Sequence, residues 1–242
     1  MLRIHQHQIA RFETASEQEV EDDLAMHLAT YFPARRQLMG DAAVRATIRL
    51  AFARAEAHGM TAWRDVCAYL NVMLVLGSRF DDDPQIPWAR RILDRSSAKA
   101  PHERLQRLLA DTIGYLDILS GRDDTRLAER ALAWLRGGAP PQTDVVLVLQ
   151  AISPEKARLA GVPALQRMQA QVATGAVAAG VTGAWGGILA TVLGFTFGAG
   201  FFDDPQLSVI TGERPVADAD ALRMRAMDYL TRFIAAAARG EA

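Results

Sequence analysis

Cysteine is almost absent from this chain: Cys67 is the only one among its 242 residues. A single thiol cannot form an internal disulfide, so the composition predicts a protein of a reducing compartment. The net charge is only −1, and the basic residues form no stripe of the kind that nucleic acid demands. Residues 1–30 carry histidine and acidic side chains where a signal peptide needs an apolar core. We therefore expect a cytoplasmic protein that does not bind nucleic acid.

Recognisable catalytic motifs are also lacking. The sequence contains no HExxH pattern, no zinc-type spacing of Cys and His, no GxSxG elbow and no phosphate-binding loop. The glycine-rich segment 183–187 lacks the preceding strand that a dinucleotide-binding motif requires. Cys67 lies beside Val66 and Leu70 on an apolar helix face, which favours a packed thiol over a nucleophile. These absences predict a protein that is not an enzyme and holds neither a metal nor a cofactor.

What the chain does contain is a repeat of itself. Residues 33–86 align without a gap with residues 154–207, at a constant offset of 121 positions, which is half of the chain. Most of the identical residues are types that set turns and helix ends, so the repeat preserves a backbone path. The identical pairs include Pro33 and Pro154, Gly40 and Gly161, Gly59 and Gly180, Thr61 and Thr182, Gly77 and Gly198, Phe80 and Phe201, and the two DDPQ runs at 82–85 and 203–206.

Apolar residues recur at helical spacing almost throughout, and no alternating strand pattern of useful length occurs. The sequence predicts an all-α fold of two tandem, pseudo-equivalent helical units that arose by internal duplication. The first unit, residues 1–121, is amphipathic and charged, and the second unit, residues 122–242, is apolar and glycine-rich. We expect the linker near residues 137–141, where the sequence is GGAPP. Asp41 and Thr61 are expected to cap two helices of the first unit.

A long run without any charged residue, 168–202, lies in the second unit. It exceeds the roughly 20 apolar residues that a membrane span needs, and its glycines include pairs four positions apart. The equivalent stretch of the first unit carries charges such as Arg54 and His58, and the GVT sequence at 180–182 divides the run into two helices. We therefore expect buried core helices, and membrane insertion is the alternative. The side chains expected in the core are Ile188, Leu189, Val192, Leu193 and Phe197.

Acidic residues cluster in the two DDPQ loops. Carboxylate oxygens suit hard cations, but the loops lack the spaced ligands of a calcium site, and Asp before Pro is a common turn device. The sequence therefore predicts that these carboxylates accept backbone hydrogen bonds within their own turns. An enzyme that uses the acidic loops is the least favoured alternative. The clusters are Asp81, Asp82 and Asp83 in the first loop and Asp203 and Asp204 in the second. The backbone hydrogen bonds are expected at Asp82, Asp83, Asp203 and Asp204.

A recurring pattern spans much of the first unit: HL…FP at 27–33, a glycine at 40, DV..Y at 65–69 and FDDDPQIPWA at 80–89. With this pattern, over roughly residues 12–93, the chain resembles a group of small, mostly uncharacterised bacterial helical proteins that are often encoded beside type VI secretion spike and effector genes. The second unit departs from the pattern, because Gly186 and Ala190 stand at the positions of Asp65 and Tyr69.

The resemblance implies an adaptor or chaperone-like accessory protein, without enzymatic activity, for a bacterial secreted effector. Such a protein acts in the cytoplasm or is delivered with the secretion complex, and its partner is the effector or a component of the secretion spike. The alternative is a membrane-active toxin that uses segment 168–202. The residues expected to bind the partner lie in the first unit and are Arg79, Asp81, Gln85, Trp88 and Arg91.

Overall fold

The computed structural model describes residues 6–96, 99–120, 125–137, 144–212 and 218–239, with side chains from Gln18 onward except Ser120. Every regular element in these ranges is helical, which confirms the predicted all-α fold. The predicted linker at 137–141 lies almost wholly outside the described residues.

Six α-helices form the first unit in the described ranges. They are α1 Gln6–Tyr31, α2 Pro33–Met39, α3 Asp41–Ala57, α4 Trp63–Leu76, α5 Pro87–Leu93 and α6 Pro101–Ser120, with a 3₁₀ turn at Phe80–Asp82. The described part of the second unit contains α7 Arg126–Gly137, α8 Val145–Ile152, α9 Pro154–Ala160, α10 Val162–Ala178, α11 Gly183–Phe197, α12 Ser208–Thr211 and α13 Ala219–Ala238, with 3₁₀ turns at Phe201–Asp203 and Pro205–Leu207.

The helix bounds recur with the 121-residue offset of the sequence. Helices α9 and α10 begin and end 121 positions after α2 and α3, and α11 ends 121 positions after α4. The turns recur as well, because Gly59 and Gly180 take left-handed φ values of 78° and 82°. Each closes its helix with the same pair of backbone hydrogen bonds, as in a Schellman-type helix end. The matched glycines thus stand at matched turns, as predicted.

Two of the predicted helix caps are wrong. Asp41 is the first residue of α3 and not its N-cap; Gly40 holds that position, and the Asp41 carboxylate pairs with Arg36 at 2.7 Å. Thr61 lies one residue too early, because α4 is preceded by Ala62, whose carbonyl accepts the first helical hydrogen bonds. In both cases the chain enters the helix one residue away from the expected capping position.

Each unit has its own hydrophobic core. Tyr69 and Phe80 lie in the core of the first unit, and Phe195 and Phe201 lie in that of the second. The units also share elements: Leu38 of α2 belongs to the second core, and α2 packs against α13. The two halves of the chain are therefore in direct contact through several helices.

Helix α11 lies in the core of the second unit. Leu189, Val192 and Leu193 are buried, whereas Ile188 and Phe197 are half-buried. Burial of each large apolar side chain is worth about 1.5–3 kcal/mol. Within the described ranges, no helix is both long enough and apolar enough to cross a bilayer.

Candidate functional site

The last aspartate of each acidic loop, Asp83 or Asp204, accepts the backbone hydrogen bond that the sequence predicts. Proline follows Asp83 and Asp204, which restricts both aspartates to extended backbone, with ψ values of 120° and 114°. In this conformation the Asp83 carboxylate accepts a hydrogen bond from the Gln85 backbone N–H at 2.8 Å. Asp204 accepts the equivalent bond from Gln206 at 2.9 Å. Asp82 differs from the prediction, because its carboxylate accepts from the Arg54 guanidinium.

The same two carboxylates also join the two units, which the sequence did not reveal. Asp83 Oδ2 accepts a hydrogen bond from the backbone N–H of Ala199 at 2.9 Å. Asp204 Oδ2 accepts one from the backbone N–H of Ser78 at 2.8 Å. Ser78 and Ala199 are themselves 121 residues apart, so the contact is reciprocal, like that between subunits related by a two-fold axis.

The glutamines of the loops repeat this exchange. Gln85 Nε2 donates to the carbonyl of Gly194 at 3.0 Å, and Gln206 Nε2 donates to the carbonyl of Met73 at 2.9 Å. Both carbonyls lie in the last turn of a helix and already accept the helix-ending N–H of Gly198 or Gly77. The glutamine amide of the opposite unit therefore adds a second hydrogen bond to each of these oxygens. We refer to Asp83, Gln85, Asp204 and Gln206, with their partners in the opposite unit, as the junction.

Glycine at the ends of α4 and α11 permits the close approach at the junction. Gly77 has φ 96°, and a Cβ atom there would lie 2.6 Å from the carbonyl oxygen of Phe197. Gly198 has φ 107°, and a Cβ atom there would lie 3.3 Å from Asp83 Oδ2. Both residues are thus limited to glycine by conformation, and Gly77 also by space.

Burial dominates the electrostatics of the junction. It raises the pKa of both Asp83 and Asp204, although the hydrogen bonds that these carboxylates accept act in the opposite direction. The two sides differ in their remaining polar contacts. The Ser78 hydroxyl donates to Asp204 at 2.6 Å and accepts from Gln206 at 2.8 Å, whereas Ala199 has no hydroxyl and the Gln85 amide donates to Asp83 instead.

A second group of polar residues lies beneath the first loop. The carboxylate of Asp81 is 4% exposed and accepts hydrogen bonds from Arg54, from His58 at 2.9 Å and from the Tyr69 hydroxyl at 2.8 Å. Burial by itself raises the pKa of Asp81, but the hydrogen bonds from His58 and Arg54 outweigh it and bring the pKa to about 2. We call Arg54, His58, Tyr69 and Asp81 the polar cluster.

The second unit has no counterpart of the polar cluster. An aromatic ring takes the place of the carboxylate, and glycine takes the place of arginine. A Cβ atom on Gly175 would lie 2.9 Å from Cδ2 of Phe202, so the ring packs directly on the helix backbone. The residues equivalent to Arg54, His58, Tyr69 and Asp81 are Gly175, Ala179, Ala190 and Phe202.

A cavity of about 290 Å³ adjoins the junction, and both units line it. Its wall is largely apolar, with Ile86, Leu119 and Phe197 among the lining residues. Lys156, on α9, also lines it and is 7% exposed. Sequence reasoning missed this residue. The signal that could have drawn attention to Lys156 is its equivalence to Arg35, 121 residues earlier. Arg35 lines the same cavity.

The five residues predicted to bind a partner do not share one surface. Asp81 and Gln85 are buried, at 4% and 2% exposure, and belong to the polar cluster and the junction. Arg79 is half-buried and covers Gly200 with its aliphatic carbons. Trp88 is half-buried against Tyr115, with ring centroids 5.7 Å apart, and Arg91 is exposed. Arg91, on α5, is therefore the one predicted binding residue that is exposed.

Metal ligands and a reactive thiol are not apparent. Among the described residues, no group of three or more His, Cys, Asp or Glu side chains is placed to hold a metal ion. Burial raises the pKa of the Cys67 thiol, which keeps it protonated.

Comparison with known proteins adds no relative. No family model matches the chain, and neither the curated proteins nor the solved structures give a match.

Proposed function

We propose that this chain is an adaptor or chaperone-like accessory protein, without enzymatic activity, for a bacterial secreted effector of the type VI kind. It would act in the cytoplasm and bind the effector or a component of the secretion spike. The proposal rests on the resemblance of the first unit, and the observation that carries it is the surface of α5. There Arg90 and Arg91 are exposed beside the half-buried ring of Trp88.

Arginine and tryptophan are the residue types most enriched at the energetic centres of protein interfaces. The second unit has no such surface at the equivalent positions, where Val209, Thr211 and Gly212 stand. The loop carboxylates Asp81, Asp83 and Asp204 are buried in contacts within the chain. The basic side chains of α5 are exposed charges available to a partner, and they favour one with an acidic surface.

The experiment is co-expression of the tagged chain with the products of the spike and effector genes next to its own gene. We expect one of them to form a stable complex that is isolated by size-exclusion chromatography. Arg91→Glu should weaken that complex about tenfold or more. The matched control is Arg167→Glu on the exposed face of α10, which should leave the affinity unchanged. Failure of both neighbouring products to bind the folded chain would contradict the proposal.

The same preparation tests the alternative, a membrane-active toxin that uses segment 168–202. In that segment α10 and α11 pack against each other, and the large side chains of α11 are largely turned into the core. We expect the purified chain to stay with the soluble fraction in liposome flotation. Flotation with the liposomes, together with release of an entrapped dye, would favour the toxin.

A further inference from the structure

The cavity beside the junction contains a buried ammonium group that forms no direct ion pair among the described residues. Lys156 Nζ donates to the carbonyl oxygen of Phe195 and lies 5.1 Å from the centroid of that ring. An ammonium group has three donors, and in the described part of the chain no carboxylate pairs with this one. Burial lowers the pKa of Lys156 to about 8, although the charge of Asp83 opposes the shift. At neutral pH the side chain is therefore mostly charged.

Arg35 supplies a second cation to the same cavity. Its guanidinium lies 5.1 Å from the ring centroid of Phe233, and no ion pair is formed with it in the described ranges. The two carboxylates of the lining, Asp83 and Asp204, are different, because each accepts several hydrogen bonds at the junction. Lys156 uses one of its three donors within the described ranges, so the charged groups with donors left for a ligand are the positive ones.

We propose that this cavity binds a small monocarboxylate with an apolar tail. The carboxylate accepts hydrogen bonds from Lys156, with Arg35 as the second cation, and the tail lies against Ile86, Leu119 and Phe197. The volume of about 290 Å³ lies at the lower end of the range of ligand pockets, so it suits a small ligand such as octanoate. A wall that combines apolar side chains with a small number of placed polar groups is typical of a ligand site.

The proposal is tested by calorimetric titration of the full chain with octanoate, below the concentration at which the probe forms micelles. We expect saturable binding of one octanoate per chain and a rise in melting temperature. Octylamine, which has the same tail and the opposite charge, should bind much more weakly. Lys156→Met should weaken octanoate binding by about 10- to 100-fold, because a hydrogen bond to a charged group is lost.

A second variant keeps the test informative if Lys156→Met does not fold. Ala128→Leu adds bulk to the cavity from α7, a helix that carries neither cation, and it should also abolish or strongly weaken binding. Arg167→Gln, on the exposed face of α10, is the control and should bind as the parent chain does. The proposal is overturned by absence of saturable octanoate binding to the folded parent chain, by equal binding of octylamine, or by unchanged binding in Ala128→Leu. None of these outcomes depends on a protein partner, so they bear on the cavity and not on the adaptor function.

Discussion

The first unit places a buried ion pair, Arg54 with Asp81, where the second unit places a phenylalanine ring against a glycine. The helices around both sites nevertheless begin and end at equivalent positions. A buried ion pair has to offset a large desolvation cost, and well-packed apolar residues are often as good or better. The backbone path therefore does not require the charged residues.

The junction differs from the polar cluster, because its loop residues are the same in both units. Aspartate, glutamine and the helix-ending glycine are the same in both units, and each bonds to an equivalent partner in the other unit. A contact within one unit can change its chemistry as long as its own neighbours change with it. A reciprocal contact has to match the backbone of the other unit, so its side chains are more restricted. The comparison between polar cluster and junction leads to the following predictions.

The largest effect is expected from Asp81→Ala. The substitution removes the buried partner of the Arg54 guanidinium, whose side chain is 16% exposed, and leaves it only the exposed carboxylate of Asp82. Removal of one member of a buried pair costs about 3–5 kcal/mol in the free energy of unfolding. Urea titration measures this value, with Asp82→Ala as the matched control. Because Asp82 is 56% exposed, its loss should cost at most about 1 kcal/mol.

Transfer of the second unit's residues into the first sharpens the same comparison. A chain with R54G, H58A, Y69A and D81F has the apolar residues of the second unit in both units. We expect it to recover most of the stability that Asp81→Ala loses, because no buried charge is left unpaired. If the fourfold variant is as unstable as Asp81→Ala, the two sites are not interchangeable and the comparison fails.

Substitution of the junction glycines should separate backbone strain from crowding. Gly77→Ala places a Cβ atom 2.6 Å from a backbone oxygen in a conformation that L-residues avoid, at a cost of about 2–4 kcal/mol. Gly198→Ala meets the same strain but a contact of 3.3 Å, so its cost should be about 1–3 kcal/mol. Equal losses in thermal unfolding would show that the crowding at Gly77 relaxes freely.

The two sites should also respond to acid with opposite signs. The pKa of Asp81 is lowered to about 2, so its contribution is present above about pH 4 and is lost as the pH falls towards 2. The loss amounts to about 2 kcal/mol. The raised pKa values of Asp83 and Asp204 act the other way, because they favour the folded state in acid and less so as the pH rises.

Urea titrations of the parent chain and of the fourfold variant across this acid range provide the measurement. The free energy of unfolding of the parent chain should fall by the contribution of Asp81 as the pH is lowered towards 2. The fourfold variant lacks Asp81 and should not show this loss. Parallel curves for the two chains would contradict the assignment of the lowered pKa to the polar cluster.

The smallest effect concerns the Ser78 hydroxyl, at which the two sides of the junction differ. Ser78→Ala removes the hydroxyl that donates to Asp204 and makes the first unit resemble the second. We expect a loss of about 1 kcal/mol in the free energy of unfolding. Ala199→Ser, the converse change, serves as the control and should not reproduce that loss. A loss of the same size in both variants would show that the serine acts through its bulk rather than its hydrogen bond.

Local features of the fold could be predicted because their causes are local. Pro33 and Pro154 start helices, and Gly59 and Gly180 end them, so a single stretch of sequence contains the whole signal. The hydrogen bond from the Gln85 backbone N–H to the Asp83 carboxylate is equally local, because both residues belong to the same turn. The two helix caps failed because a capping residue and its neighbour differ by one position, which sequence patterns resolve poorly.

The junction and the cavity could not be predicted in the same way. The partners of Asp83 and Asp204 are backbone N–H groups more than 100 residues away, and any residue type supplies such a group. The charges of Arg54 and His58 indicated a solvated helix face, whereas both side chains turn towards a carboxylate in the loop. The one available signal was the repeated DDPQ sequence itself, since identical residues in otherwise divergent units are expected where the units meet each other.

Native-state hydrogen exchange of the Ser78 and Ala199 amides tests most directly whether the junction holds the two units together as one body. Both amides donate to a buried carboxylate of the opposite unit, so neither can exchange until the units separate. We predict the same opening free energy for both amides, equal to that of global unfolding measured in urea. Exchange of either amide at a clearly lower free energy, while the helices of its own unit stay protected, would contradict the account.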